Sequence, residues 1–488
     1  MDIKFFKNSS IFFITALVTS GLGFITLPIY TRYLSPSDYG ILTLFLLFGT
    51  VVSNLISIGL MSSSYRYYFE YKNNLQLFKI FNSTNIFFNS LTFIIIGVLI
   101  FYLSTWISIN LFDSKISPLL LQLSYISGCL NYFIQFFLHL LSAQLKTAQF
   151  AILSISKVVI DISFSFYFIF SHSLTYMARI NGILISQLII IIISIFFLKE
   201  LLGLRFSLKY LKESLLFAYP NVPSSLIGLT YQSFDKVMIT NYKNLDSLGH
   251  YNIGEKFAGV LKVSADSINR VFNPYFQDKA HEGSLKSKHD IVKRFYSLSG
   301  LFLLGAFTII CFSEELIKIF TTEEYYPSMY IAPIFVFYYL FGSILSMISI
   351  NQIMFGKKLI YQLPVSIISL ITNILLNIIL IPKYGAIGAV IATANAALIS
   401  DSLLLLFGQR AFKLPLNYKV LVGMFVLIML LTLPVYILML VNINIFIKIL
   451  TKFILIFFLT YILLKLSIFG RNIEKIIKKY IPFLSFNI

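Results

Sequence analysis

Charged residues make up only 12% of this 488-residue chain. Soluble domains carry about 25%. Half the usual charge cannot cover water-facing domains of this total length, so the exterior must face lipid. Sustained polar–apolar alternation is also missing, which argues against a transmembrane barrel. The two cysteines, Cys129 and Cys311, sit in apolar runs and imply buried small hydrophobes, not a disulfide framework. There is no Gly-x-x-x-x-Gly-Lys-Ser/Thr loop, no histidine cluster and no cysteine pair. Neither an ATPase phosphate loop nor a metal centre is expected, and no cofactor. No polar stretch is large enough for a soluble transferase domain. The first 20 residues have a charged start and an apolar core, but the apolar run continues to Tyr30 without a small-residue cleavage site. That reads as a first span, not a removable signal.

What the chain has is apolar length. Hydrophobic residues make up 58% and the mean hydropathy is +0.85. A membrane crossing needs about 20 apolar residues whose backbone is satisfied internally, so the spans are helices. Fourteen candidate spans run from 9–30 to 446–468, with the fifth at 151–171, the seventh at 214–242 and the eighth at 250–275. With the N-terminus inside, alternate loops place about 25 lysines and arginines on the inner side against 8 outside, Arg32 and Arg179 among the latter. Under the positive-inside rule this puts both termini in the cytoplasm. The outer loop 314–326 is acidic (Glu314, Glu315, Glu323, Glu324), which fits the same orientation. The net charge of +18 is therefore mainly topology, not a nucleic-acid footprint.

Two hairpins read alike. Ser35-Pro36-Ser37-Asp38-Tyr39-Gly40 follows the first span, and Asn244-Leu245-Asp246-Ser247-Leu248-Gly249-His250-Tyr251 follows the seventh. Both preceding spans contain proline: Pro28 in one, Pro220 and Pro223 in the other. Tyr384-Gly385-Ala386-Ile387-Gly388 opens the twelfth span in a related way. Short turns converge on Gly, Ser and Asp for conformational reasons alone. A repeat of six spans would equally produce this spacing. The expectation is an all-α polytopic membrane protein of about 14 transmembrane helices. It has two pseudo-symmetric six-helix lobes (1–212 and 213–412), then two further spans with a basic cytoplasmic tail (413–488).

The segment Pro28-Ile29-Tyr30-Thr31-Arg32-Tyr33-Leu34-Ser35-Pro36-Ser37-Asp38-Tyr39-Gly40 resembles the opening signature of the polysaccharide-transport branch of the multidrug/oligosaccharidyl-lipid/polysaccharide exporter superfamily. Phe234-Asp235-Lys236-Val237-Met238-Ile239 with Leu248-Gly249-His250-Tyr251 is similar to its seventh-span signature, with His250 replacing the usual aliphatic residue. The resemblance implies an O-antigen-type flippase. Its substrate would be an undecaprenyl-diphosphate-linked oligosaccharide, moved from the cytoplasmic to the periplasmic leaflet for O-antigen, capsular or exopolysaccharide biosynthesis. A polysaccharide polymerase and chain-length machinery would be its partners, alongside membrane lipid and without nucleic acid.

Charges at membrane depth are costly and face a cavity or a partner, so they are the candidate site residues. In the eighth span Glu255, Gly259, Lys262, Asp266, Asn269, Arg270 and Asn273 share one helical stripe, with Lys262, Asp266 and Arg270 at successive i,i+4 positions. Three arrangements satisfy such a stripe: a cationic cavity wall, a ladder of ion pairs between helices, or an amphipathic interfacial helix. Lys157 and Asp161 stand i,i+4 in the fifth span, and Asp235 and Lys236 adjoin in the seventh. Lys262, Arg270, Lys157, Lys236 and Arg32 are the candidate substrate contacts. Asp266, Asp161, Asp235 and Glu255 are the candidate charge-pairing or ion-coupling groups. Two rivals stand beside the flippase reading: a cation-coupled multidrug exporter, which would want an acidic or aromatic cavity, and an integral-membrane glycan polymerase, which would want a large outer loop.

Overall fold

The computed structural model describes residues 3–57, 59–71, 73–172, 175–219, 222–441 and 443–466. Among them sixteen α-helices follow one another and no strand forms. The chain divides into two compact units. The first comprises residues 1–249 with 320–324, and the second comprises 250–319 with 325–488.

The first unit contains α1 (Ile3–Ile25), α2 (Leu27–Tyr33), α3 (Pro36–Ser57), α4 (Leu60–Tyr71), α5 (Leu75–Phe112), α6 (Pro118–Ala143), α7 (Thr147–His172), α8 (Tyr176–Leu198), α9 (Leu208–Ala218) and α10 (Val222–Tyr242). Its core gathers on α6, where Tyr125, Tyr132, Ile134 and Phe136 pack with Phe78 and Phe93 of α5 and Ile190 of α8. α3 crosses α6 backbone to backbone. A side chain on Gly128 would overlap the carbonyl of Gly49, and one on Gly49 the carbonyl of Ser124. Small residues permit such close crossings between membrane helices, where no hydrophobic drive pulls helices together.

In the second unit α11 (Leu245–His281), which starts in the first unit, is followed by α12 (Leu285–Phe320), α13 (Ser328–Phe355), α14 (Gln362–Ala411), α15 (Tyr418–Leu440) and α16 (Ile445–Lys465). α14 is one helical run broken at Gly385, whose φ of 58° is open to glycine at little cost. The two spans expected at 360–381 and 384–408 are therefore its two arms. Asn373 donates to Thr393 Oγ1 (3.2 Å) across the break, and Asn377 donates to Asn373 Oδ1 (3.0 Å). α12 continues through Glu314 and Glu315, which the loop expectation placed beyond its end. They remain helical because lysines meet them. Lys318 reaches Glu314 at 2.7 Å, and from α16 Lys448 reaches Glu314 at 3.3 Å and Lys452 reaches Glu315 at 2.6 Å. Lys452 is completely buried.

Among the described residues eleven stretches are long and apolar enough to cross a membrane, including 14–33 across α1 and α2 and the 53-residue Leu359–Ala411. At 1.5 Å per residue that last stretch is about 80 Å long, enough for two crossings of a ~30 Å core. Counting it twice and adding α10 and α11, long enough but more polar, gives the expected 14. Long apolar faces point outward, as on α5 (Ile94, Val98, Tyr102) and α8 (Ile192, Phe196), which is the surface lipid requires.

The two like hairpins have like caps. Ser35 caps α3: its Oγ accepts from the Asp38 backbone N–H (3.2 Å), while Asp38 Oδ2 accepts from the Ser35 backbone N–H and hydroxyl (2.9 Å each). This is a reciprocal capping box with proline at the first helical position. Asn244 caps α11, its Oδ1 accepting from the Ser247 backbone N–H (2.9 Å) and hydroxyl (2.7 Å). Caps and glycines keep one offset of 209 residues (35 to 244, 40 to 249). The two helix starts also seat on each other reciprocally. A side chain on Gly40 would overlap the carbonyl of Leu245, and one on Gly249 the carbonyl of Pro36, both contacts lying within the first unit.

Candidate functional site

A set of intramembrane charges that lines a cavity lies between α3, α6, α7 and α8 in the first unit. α7 and α8 form a tight hairpin because Gly182 lets α8 lie against the Asp161–Ser165 backbone; a side chain there would overlap Ser165. That register brings Arg179, three residues past the start of α8, onto Asp161. Its Nη1 pairs with Asp161 Oδ1 and donates to Ser165 Oγ (3.0 Å), and its guanidinium lies over the Tyr30 ring at 4.8 Å. Lys157, one turn before Asp161, turns to α6 instead and donates to Asn131 Oδ1 at 2.7 Å. The i,i+4 pairing of Lys157 with Asp161 suggested by the sequence is thus replaced by two separate contacts. Arg179, counted above with the outer-loop cations, is a member of the cluster.

These groups line a cavity of about 320 Å³ together with Thr50, Ser127 and Gln187. Two cations face one carboxylate. Among the described residues Lys157 makes no ion pair within 4.0 Å, so the cavity keeps one uncompensated positive charge. The buried Gln187 Oε1 accepts no hydrogen bond from the described residues. A polar cavity with spare cationic and amide groups suits an anionic or hydroxyl-rich guest.

The other candidates separate. On α11 the polar stripe divides between two roles. Glu255 receives the Tyr339 hydroxyl (3.5 Å) and Asn273 Oδ1 accepts from Asn351 (2.8 Å), both partners on α13, so these two serve helix packing. Lys262 and Asp266 are exposed, and the Lys262 ammonium lies 5.9 Å from the Tyr339 ring. Gly259 faces open space. Along α11, Lys262 stands about 10 Å beyond Glu255. The side chain of Arg270, and Pro220, lie outside the described residues. Asp235 is buried in α10, its Oδ1 accepting the Lys236 backbone N–H (2.8 Å), while Arg32 is exposed at the end of α2.

Asn131, Arg179 and Tyr30 join the cluster without having been among the candidate site residues of the sequence. The one available signal was a second intramembrane cation on the helix following Asp161.

Comparison with known proteins gives a family match and a likeness of fold. The pattern described as "Polysaccharide biosynthesis protein" matches residues 5–280. No curated protein matches the chain. Among solved structures, the lipid II flippase MurJ in an inward closed conformation aligns with a TM-score of 0.71 at 19% identity, covering 93% of this chain and 99% of that one. An inward-facing multidrug resistance MATE family transporter of the MOP superfamily aligns at 0.60 with 13% identity, covering 80% and 93%. A MOP superfamily transporter from Pyrococcus furiosus aligns at 0.53 with 14% identity, covering 84% and 97%. At these identities the likeness is one of fold alone, that of a polytopic all-α membrane protein.

Proposed function

Because the chain belongs to the polysaccharide biosynthesis protein family, within the exporter superfamily of multidrug, oligosaccharidyl-lipid and polysaccharide carriers, we propose that it is a flippase for undecaprenyl-diphosphate-linked oligosaccharide repeat units. It moves them from the cytoplasmic to the periplasmic leaflet of the bacterial inner membrane by alternating access, for O-antigen, capsular or exopolysaccharide assembly, with both termini cytoplasmic. The division into lobes 1–212 and 213–412 with a tail 413–488 belongs to this proposal, as do a polymerase and chain-length machinery as downstream partners.

The observation that carries it is the spare positive charge of the cavity between α3, α6, α7 and α8: Lys157 and Arg179 against Asp161 alone. A diphosphate takes several charge-assisted hydrogen bonds from such groups, and glycan hydroxyls take amide and hydroxyl partners such as Asn131, Gln187 and Thr50. Lys262, exposed on α11, adds a second cationic contact, and Lys236, Arg32 and Arg270 complete the set. A carrier of organic cations would want the opposite sign.

The test is leaflet-specific accumulation. Deleting the gene is expected to trap the lipid-linked repeat unit in the cytoplasmic leaflet. Build-up of single units in the periplasmic leaflet would point to a polymerase instead. Complementation by Lys157→Ala, Lys262→Ala and Arg270→Ala variants that still insert is expected to fail. Normal export by all three would remove these residues from the substrate path.

A further inference from the structure

A second cleft, of about 610 Å³, lies at the other end of the first unit, where α5 begins and α8 ends. It is built, not a chance dent. The segment joining α8 to α9 is laced along α5 by three consecutive side chains. Asn82 donates to the Leu201 carbonyl (3.2 Å), Ser83 Oγ accepts from the Gly203 N–H (2.7 Å), and Thr84 Oγ1 accepts from the Ser207 N–H (3.1 Å). Asn82, Ser83 and Thr84 are all buried. Gly203 leaves room for the stem of Lys79: a side chain at 203 would stand 3.1 Å from Lys79 Cε.

Two cations, Lys79 and Arg205, line this cleft with Gln76, and no carboxylate does. Neither cation makes an ion pair among the described residues. Leu204, at the mouth, is 92% exposed and Leu208 is 75% exposed. The adjoining flanks of α5 and α8 turn Phe87, Leu91, Ile192 and Phe196 outward along two candidate spans. A phosphate held between Lys79 and Arg205 would have acyl chains lying on that apolar flank, with Leu204 inserted among them. The cleft volume falls within the ~300–1,000 Å³ of small-ligand sites.

We propose that this cleft binds the headgroup of an anionic phospholipid as a fixed structural lipid. Two sources share the chemistry of a lipid-borne phosphate: a bilayer phospholipid, and the prenyl diphosphate of a transported substrate. The open lipid-facing flank and the separation from the polar cavity of α3, α6, α7 and α8 favour the resident phospholipid. The site needs only the membrane setting of the fold, not the flippase reading.

The experiment is native mass spectrometry of the full chain released from nanodiscs of mixed phosphatidylglycerol and phosphatidylcholine. The wild type is expected to retain phosphatidylglycerol selectively. Lys79→Ala/Arg205→Ala is expected to lower that retention at least tenfold. Lys79→Arg/Arg205→Lys, which keeps both charges, should hold it, as should Lys357→Ala/Lys358→Ala, which removes equal charge elsewhere. Equal retention by wild type and Lys79→Ala/Arg205→Ala would overturn the proposal. So would an equal loss in the Lys357→Ala/Lys358→Ala control, since surface charge alone would then be acting. Displacement of bound phosphatidylglycerol by equimolar undecaprenyl diphosphate would overturn the assignment to phospholipid and give the cleft to the carrier lipid.

Discussion

Removing Arg179 isolates the energetic content of the cluster in the first unit. Arg179→Gln deletes the ion pair to Asp161, the bond to Ser165 Oγ at 3.0 Å and the contact with the Tyr30 ring at 4.8 Å. A charge-assisted bond contributes about 1.5–3 kcal/mol and a cation–π contact about 0.5–2 kcal/mol. Their side chains keep 24% and 16% exposure, so solvent still screens the pair. A loss of about 2–4 kcal/mol is expected, short of the ~3–5 kcal/mol for breaking a fully buried pair. Most of it reflects Asp161 left with only the Ser165 hydroxyl at 3.3 Å. Asp161→Asn alone should cost a similar amount by stranding the cation. The double variant Asp161→Asn/Arg179→Gln strands neither charge and should lose less than the sum by at least about 1.5 kcal/mol. SDS-titrated unfolding in mixed micelles reads all four corners of this cycle. Losses that simply add, with coupling below about 0.5 kcal/mol, would refute the pair as a unit.

Four further outcomes follow from local geometry. Gly249→Ala and Gly40→Ala each drive a methyl into a carbonyl that cannot yield, and should cost about 1–3 kcal/mol in the same unfolding assay. Gly423→Ala, whose new methyl meets open space on α15, should be neutral or gain about 0.5–1 kcal/mol. Lys452→Met should free α16 for proteolysis by stranding Glu315, and Glu315→Gln in the same chain should restore protection; if protection is unchanged by Lys452→Met, the lysine does not hold that helix. Ser35→Ala should lower stability by about 0.5–2 kcal/mol through loss of the α3 cap, and a change within ±0.3 kcal/mol would mean that Asp38 caps unaided.

Much of the fold was legible because its physics is local. Apolar runs of crossing length mark the helices. Ser35-Pro36-Ser37-Asp38 reads as a tight turn, and Asn244 with Ser247 places a cap at the corresponding helix start 209 residues later (35 to 244). What stayed hidden depends on contacts between distant segments. Arg179 reads as a loop cation until Gly182 sets the register of α7 on α8. Glu314 and Glu315 read as an acidic loop until Lys448 and Lys452, more than 130 residues further on, hold them in helix. The stripe on α11 was visible as a face, but only its partners on α13 separate Glu255 and Asn273, which pack helices, from Lys262 and Asp266, which stay open. Periodicity reports that a face is polar, not which of its members meet a neighbour.

Reconstitution measures directly whether the substrate crosses a bilayer. Purified protein in proteoliposomes, loaded on one leaflet with fluorescent undecaprenyl-diphosphate oligosaccharide, is exposed to an impermeant glycan-cleaving enzyme. Wild type is expected to move the glycan between leaflets well above the rate of empty vesicles, and Lys157→Ala to lower that rate at least tenfold with unchanged insertion. Wild-type vesicles that flip the lipid no faster than empty ones, under an imposed ion gradient or without one, would contradict the flippase reading.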